Sequence, residues 1–227
     1  DYLLSIGGDG TLLDTISLVR DSGIPILGIN LGRMGFLSSI AKDRIGLALE
    51  KLFQKRYTLD QRVLIRVESS KDLFGKMNYA LNEVSIYRKS PLSMLKIEAH
   101  VDDEFLNAYW ADGLIVSTPT GSTAYSLSNG GPIILPGSSN FVITPIATHN
   151  LTVRPIVIPD SSKIRINVVG RISEFHINLD SRSVLTDNSV EFMIKKEDFK
   201  INLLQLEGES YFKTIREKLM WGLDIRN

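Results

Sequence analysis

The chain has 227 residues, 26 acidic and 26 basic side chains in balance, and no cysteine. Balanced charge excludes a global field drawing it to nucleic acid or to an anionic membrane, and the lack of cysteine excludes disulfides and thiolate metal sites and fits a cytoplasmic setting. Hydrophobic content of 43% is that of a globular protein with a core in one large domain or two small ones, and no run reaches the ~18 apolar residues of a membrane span.

Residues 2–6 predict a short buried strand, followed at once by Gly7-Gly8-Asp9-Gly10-Thr11 and an amphipathic helix. Leu12, Leu13, Ile16 and Val19 recur at helical spacing, and Gly23 is placed to stop the helix. The sequence opens without Met, already inside that strand, so an N-terminal portion is expected to be missing from it. A second strand over 25–30 leads into a glycine-punctuated loop, Leu31-Gly32-Arg33-Met34-Gly35-Phe36-Leu37, and a second helix over 42–56 burying Ile45, Leu49, Leu52 and Phe53. Strands alternating with helices predict a parallel sheet and an α/β domain over 1–56, with ligands at the C-terminal strand ends where both glycine loops fall.

From Tyr57 the texture changes. Val63, Ile65 and Val67 alternate with polar residues, and strand-like runs follow at 78–88, 95–101, 104–110, 114–117, 140–144, 164–169, 174–180, 190–195 and 201–205. They predict a β-rich, sandwich-like domain over 57–209. The tail, 210–227, returns to helical spacing with Phe212, Ile215, Leu219 and Met220 and is expected to pack back onto one of the domains.

Residues 112–132, DGLIVSTPTGSTAYSLSNGGP, form the stretch around which the rest is organised. After a strand-like Leu114-Ile115-Val116, fourteen residues are almost all Ser, Thr, Gly, Asn, Ala and Pro, too small-sided to build a core. Their hydroxyls and glycine-exposed N–H groups suit the lining of a polar ligand, with Tyr125 as the one aromatic support for a ring; the alternative is an ordinary Gly/Ser loop.

The Gly8-Asp9-Gly10 loop carries the sharpest chemistry. Glycines let backbone approach a phosphate, and the following helix offers N-terminal N–H groups to an anion. A carboxylate planted there repels phosphate unless it has a task, either as general base on an attacking hydroxyl or as a hold on magnesium; otherwise it merely caps the helix. The loop is neither a Walker lysine loop nor a full dinucleotide fingerprint. Asn82-Glu83, within the strand-like run, pair an amide able to read an adenine edge with a carboxylate able to accept from a ribose diol, unless they lie on a solvent-facing edge. His100, His149 and His176 stand isolated, which disfavours a structural metal site, and Arg154 is either a phosphate partner or a surface ion pair.

Three separated stretches, Gly7-Gly8-Asp9-Gly10-Thr11, Asn82-Glu83, and Asp112-Gly113 through Thr118-Pro119-Thr120-Gly121-Ser122-Thr123-Ala124-Tyr125 to Gly130-Gly131-Pro132, together resemble the NAD kinases. Gly28-Ile29-Asn30, Gly32, Gly35-Phe36-Leu37 and Arg154-Pro155-Ile156 fit the same family, and the likeness runs over nearly the whole chain. The resemblance implies a partial Rossmann-like domain followed by a β-rich domain, and magnesium-dependent phosphoryl transfer from ATP to the 2′-hydroxyl of the adenosine ribose of NAD. Asp9 would take the hydroxyl proton, while Gly7, Gly8, Gly10 and Thr11 face the donor phosphates. Asn82 and Glu83 would hold the adenosine end with Gly10, Phe36, Thr123 and Tyr125 nearby, and Asp112, Ala124 and Ser128 would stand toward the nicotinamide half. A homodimer or homotetramer is implied as well. Asp180-Ser181-Arg182 departs from the family pattern, where many relatives have Asp-Gly.

Two other readings remain. A lipid or sphingoid-base kinase shares the glycine-aspartate-glycine loop but would want an apolar acceptor pocket, against which the hydroxyl-rich run argues. A dinucleotide-sensing module would bind NAD or NADP without turnover.

Overall fold

The computed structural model describes residues 1–32, 35–38, 40–91, 93–170 and 174–222, so Arg33 and Met34 of the second glycine loop lie outside the described residues. In chain order the first elements are β1 (Leu3–Gly7), α1 (Asp9–Val19), β2 (Ile26–Asn30), β3 (Ile40–Ala41), α2 (Ile45–Phe53), β4 (Tyr57–Ser69), β5 (Tyr79–Ala80) and β6 (Glu83–Arg88). There follow β7 (Leu95–Val101), β8 (Glu104–Ala111), β9 (Gly113–Ser117), α3 (Tyr125–Ser128), β10 (Asn140–Ile146), β11 (Ile156–Pro159) and β12 (Ile164–Val169). The chain continues with β13 (Phe175–Leu179), β14 (Arg182–Thr186), β15 (Glu191–Leu206) and α4 (Tyr211–Leu219).

Two compact units result, Asp1–Arg62 with Lys200–Asn227, and Val63–Phe199. The first is α/β. β2 pairs in parallel with β1, with β3 and, at Ile26, with Leu203 of β15. All five β2 residues are buried, as expected of a strand covered on both faces. Leu27, Ile29 and Ile40 pack with Ala48 and Leu52 of α2 and with Leu204 and Leu206. Ser210 caps α4 by accepting from the Lys213 N–H at 3.2 Å, and Thr214 and Ile215 face inward.

The second unit is a β-sandwich. One sheet runs β11-β10-β9-β6-β13-β14, and its neighbouring pairs are antiparallel. In the other layer β12 pairs antiparallel with both β7 and the early part of β15, and β7 with β8. Val84, Ile86, Leu114, Val116, Phe141 and Ile177 of the first layer share one buried core with Ile97, Ile166, Phe192 and Ile194 of the second. The alternation of apolar and polar residues along these strands thus turns one face of each sheet inward.

Several expectations need correction. α1 ends at Val19, where Arg20 turns left-handed at φ 50°, and Gly23 lies in the turn beyond. The second helix is shorter than 42–56, with a 3₁₀ turn over Lys42–Arg44 leading into α2, and Phe53 is 81% exposed. The run over 78–88 is broken at Leu81-Asn82. β11 and β14 were not expected, and the two runs at 190–195 and 201–205 form the single strand β15. The boundary set at 56/57 falls at 62/63, and 200–209 group with the first unit, because β4 and β15 each contribute residues to both units.

Candidate active site

In the first unit, β1 delivers the chain into Gly8, whose extended backbone precedes α1 without any side-chain cap. Asp9, the first helical residue, therefore does not cap its own helix. Its carboxylate reaches the second glycine loop, where Oδ2 accepts from the Phe36 N–H at 2.8 Å and Oδ1 from Leu37 at 3.2 Å and Ser38 at 2.9 Å. Only glycine fits at position 35, since a Cβ there would lie 1.7 Å from Asp9 Oδ1. Asn30, at the end of β2, closes the same loop: its Oδ1 accepts from the Gly32 N–H at 2.7 Å and its Nδ2 donates to the Ser38 carbonyl at 3.3 Å.

A carboxylate offers about four acceptor sites, and three are filled here, two on Oδ1 and one on Oδ2. Among the described residues, one Oδ2 acceptor site of this directionally fixed carboxylate has no partner. Gly8 and Gly10 offer no side chain over the start of α1, and a Cβ at either would meet open space. Those uncapped first-turn N–H groups suit an anion.

In the second unit, the break between β5 and β6 turns the N–H groups of Leu81, Asn82 and Glu83 onto Asp180, at 2.8, 2.8 and 3.2 Å. Asp180 sits between β13 and β14 with φ 52°, a left-handed conformation that aspartate tolerates better than most residues. On the other side of the same segment, Thr118 donates from Oγ1 to the Leu81 carbonyl at 2.5 Å and from its N–H to the Asn82 carbonyl at 2.9 Å. Gly121 approaches so closely that a Cβ would stand 2.1 Å from the Asn82 carbonyl oxygen. The Asn82-Glu83 pair is thus gripped through both its donors and its acceptors.

Burial pushes the Glu83 carboxyl up to about 8, and the neighbouring Asp180 charge adds to the effect. Its Oε2 is buried with no hydrogen-bond partner among the described residues. Burial also raises Asp180, against which work the three N–H donors and the Arg182 cation. Arg182 donates to the carbonyls of Met77 and Tyr79 and lies over the Tyr79 ring, 5.9 Å from its centroid.

The hydroxyl-rich stretch is largely a scaffold, contrary to the expectation that it cannot build a core. Ser117, Thr118, Ser122 and Ser126 are fully buried. Ser122 Oγ donates to the Pro119 carbonyl at 2.7 Å and accepts from the Ile134 N–H at 2.9 Å, while Ser126 and Thr144 hydroxyls meet at 2.8 Å. In the same stretch Thr123 and Ala124 are half-buried, and Tyr125 and Ser128 are exposed. Burial raises the Tyr125 phenol, helped by the nearby Tyr87, Asp112 and Glu83 charges. Asp112 is ion-paired to Arg88, Nη2 to Oδ2 at 2.8 Å, and its carbonyl accepts the Arg88 N–H at 2.9 Å.

Asn82, Glu83, Asp112, Thr123, Ala124, Tyr125 and Ser128 all fall in the second unit, and Gly7, Gly8, Asp9, Gly10, Thr11 and Phe36 in the first. Arg154 donates to the carbonyls of Leu151 and Val153 at 2.7 and 2.8 Å, tying its guanidinium to its own loop. His100 stacks edge-on against Phe105, and His149 is exposed. Sequence reasoning missed Asp180 as a partner of Asn82-Glu83 and Arg88 as the partner of Asp112; the acidic residue at a turn flanked by alternating strands was the available signal.

Comparison with known proteins places these features in a family. Residues 1–57 match the ATP-NAD kinase N-terminal domain and residues 81–204 the ATP-NAD kinase C-terminal domain. NAD kinases of Cytophaga hutchinsonii and Flavobacterium johnsoniae are each 48% identical over 100% of this chain and 78% of their own length. Among solved structures, yeast NADH kinase complexed with NADH superposes with a TM-score of 0.90 at 27% identity, covering 100% of this chain and 68% of that one. An NAD kinase from Archaeoglobus fulgidus in complex with ATP gives 0.82 at 28% identity, covering 97% and 83%. The chain belongs to the NAD kinase family.

Proposed function

We infer that this chain is an NAD kinase, transferring the terminal phosphoryl group of ATP to the 2′-hydroxyl of the adenosine ribose of NAD to give NADP and ADP. The observation that carries the mechanism is the Asp9 carboxylate, fixed in direction by the Phe36, Leu37 and Ser38 N–H groups. In the reaction the ribose oxygen bonds to the γ-phosphorus as the bond from that phosphorus to the β–γ bridging oxygen breaks. The hydroxyl proton passes to Asp9, and the displaced charge stays on ADP. Gly7, Gly8, Gly10 and Thr11 face the donor phosphates, which the uncapped first turn of α1 stabilises through its N–H groups.

Asn82 reads the adenine edge and Glu83 accepts from the ribose diol. Within the second unit we assign Thr123 and Tyr125 to the adenosine end and Asp112, Ala124 and Ser128 toward the nicotinamide; Gly10 and Phe36, beside Asp9 in the first unit, are assigned to NAD as well. Among the described residues no three acidic or histidine side chains converge as a metal cage. A magnesium ion brought with ATP would supply neutralisation of charge on the transferring group. No helix among the described residues is long and apolar enough to cross a membrane. We assign the protein to the cytoplasm as a homodimer or homotetramer, which sedimentation of the purified protein checks.

The experiment that tests this reading is a coupled assay of NADP formation from NAD and Mg-ATP, with Asp9→Asn beside the wild type. NADP formation that collapses in the variant supports the kinase. A folded wild type that binds NAD but makes no NADP would support the sensing module instead.

A further inference from the structure

We propose that Asp180 is a positioning residue for NAD recognition, which creates the strand break that lets Asn82 and Glu83 serve one ligand. The proposal rests on the reading of that pair as the adenosine site. In a continuous strand neighbouring side chains point to opposite faces, so adjacent residues 82 and 83 would not meet the same molecule. The run from 78 to 88 has the composition of such a strand, yet the ladder stops after β5 and resumes at Glu83.

At the break, three successive N–H groups converge on one side chain, Asp180. Consecutive N–H groups of a strand alternate in direction, so this convergence is incompatible with an extended chain. Asp180 is therefore the anion around which the turn is wound, with Thr118 holding the carbonyls released on the other side. Arg182 secures the approach to the turn through the Met77 and Tyr79 carbonyls. Without the Asp180 charge, the segment loses its reason to leave the strand, and Asn82 and Glu83 return to alternating faces.

The test is Asp180→Asn, chosen because asparagine accepts the left-handed backbone at φ 52° while its amide nitrogen opposes at least one of the three donors. Steady-state kinetics of NADP formation should show kcat/KM for NAD falling about tenfold to hundredfold, the scale of one hydrogen bond to a charged group. Most of the loss should lie in KM for NAD, with KM for ATP changed far less. A merely structural residue would lower the melting temperature and the active fraction while leaving KM for NAD in place, and that result overturns the proposal.

Calorimetric titration of NAD into both proteins separates this inference from the kinase reading. If the wild type binds NAD but makes no NADP, the kinase reading fails, and weaker NAD binding by Asp180→Asn still supports the positioning role. Equal NAD affinity in the two proteins overturns it. Should Asp180→Asn not fold, Asp180→Ser, which keeps one shorter acceptor, is measured in its place with the same two outcomes.

Discussion

Asp9 and Asp180 are built alike and used oppositely. Each accepts three successive backbone N–H groups, those of residues 36–38 in the first unit and of residues 81–83 in the second. At Asp9 the loop serves the side chain: glycine at 35 makes room, and the carboxylate is held in a fixed direction. At Asp180 the side chain serves the loop, since what emerges from the cradle is the Asn82-Glu83 pair. One motif of hydrogen bonding can therefore present either a carboxylate or a stretch of backbone, depending on which partner is left free.

The largest expected effect breaks that symmetry at its functional end. Asp9→Asn should lower kcat by about 10²–10⁴, the usual contribution of a general base, while NAD affinity stays within a few-fold in calorimetry. Retained kcat would show that Asp9 is not the base. Next comes Gly35→Ala, whose Cβ displaces the 36–38 loop from the carboxylate. Misplacement by roughly an ångström costs about 10²-fold, so kcat should fall by that order without loss of fold by circular dichroism. Gly121→Ala, which collides with the Asn82 carbonyl, should act instead on KM for NAD.

A fourth prediction uses pH. The Glu83 carboxyl, ordinarily near 4.5, is raised to about 8 in the folded protein, so the native state binds a proton more tightly than the unfolded chain. Its contribution to stability is complete below about pH 4.5 and is lost as pH rises toward 8. Glu83→Gln, neutral at every pH, should flatten that decline and stabilise the protein by a few kcal/mol near pH 9 relative to wild type, read by urea unfolding at pH 5 and pH 9, while weakening NAD binding. A wild-type stability that rises across this interval would refute the assignment. The smallest effect is Thr118→Val, which removes the donor to the Leu81 carbonyl and should cost about 1 kcal/mol in the same unfolding assay.

The sequence made the architecture legible where burial is periodic. β2, β7 and β12 follow from apolar alternation or continuous apolar runs, and the turn between β1 and α1 from its glycines. What escaped depends on contacts between distant residues. Nothing local in 78–88 signals a turn at Leu81-Asn82, because the group that bends the chain lies nearly a hundred positions later. The gap at Lys196-Glu197-Asp198-Phe199-Lys200 suggested two strands where β15 is continuous, since its charges find partners in the fold: Lys196 with Asp160, and Glu197 with Arg66. The hydroxyls of 117–126 looked like ligand donors because small polar residues lining a pocket and small polar residues packed under one have the same composition.

The division of the chain bears on how it is made. The second unit is continuous in sequence, whereas the first is assembled from both ends of the described chain, with β2 pairing Ile26 to Leu203. During synthesis the sandwich strands can therefore pair as they emerge, while the parallel sheet waits for its last member. Contacts so far apart in sequence are slow to close, and a nascent chain halted before residue 200 would leave one side of β2 without this pairing.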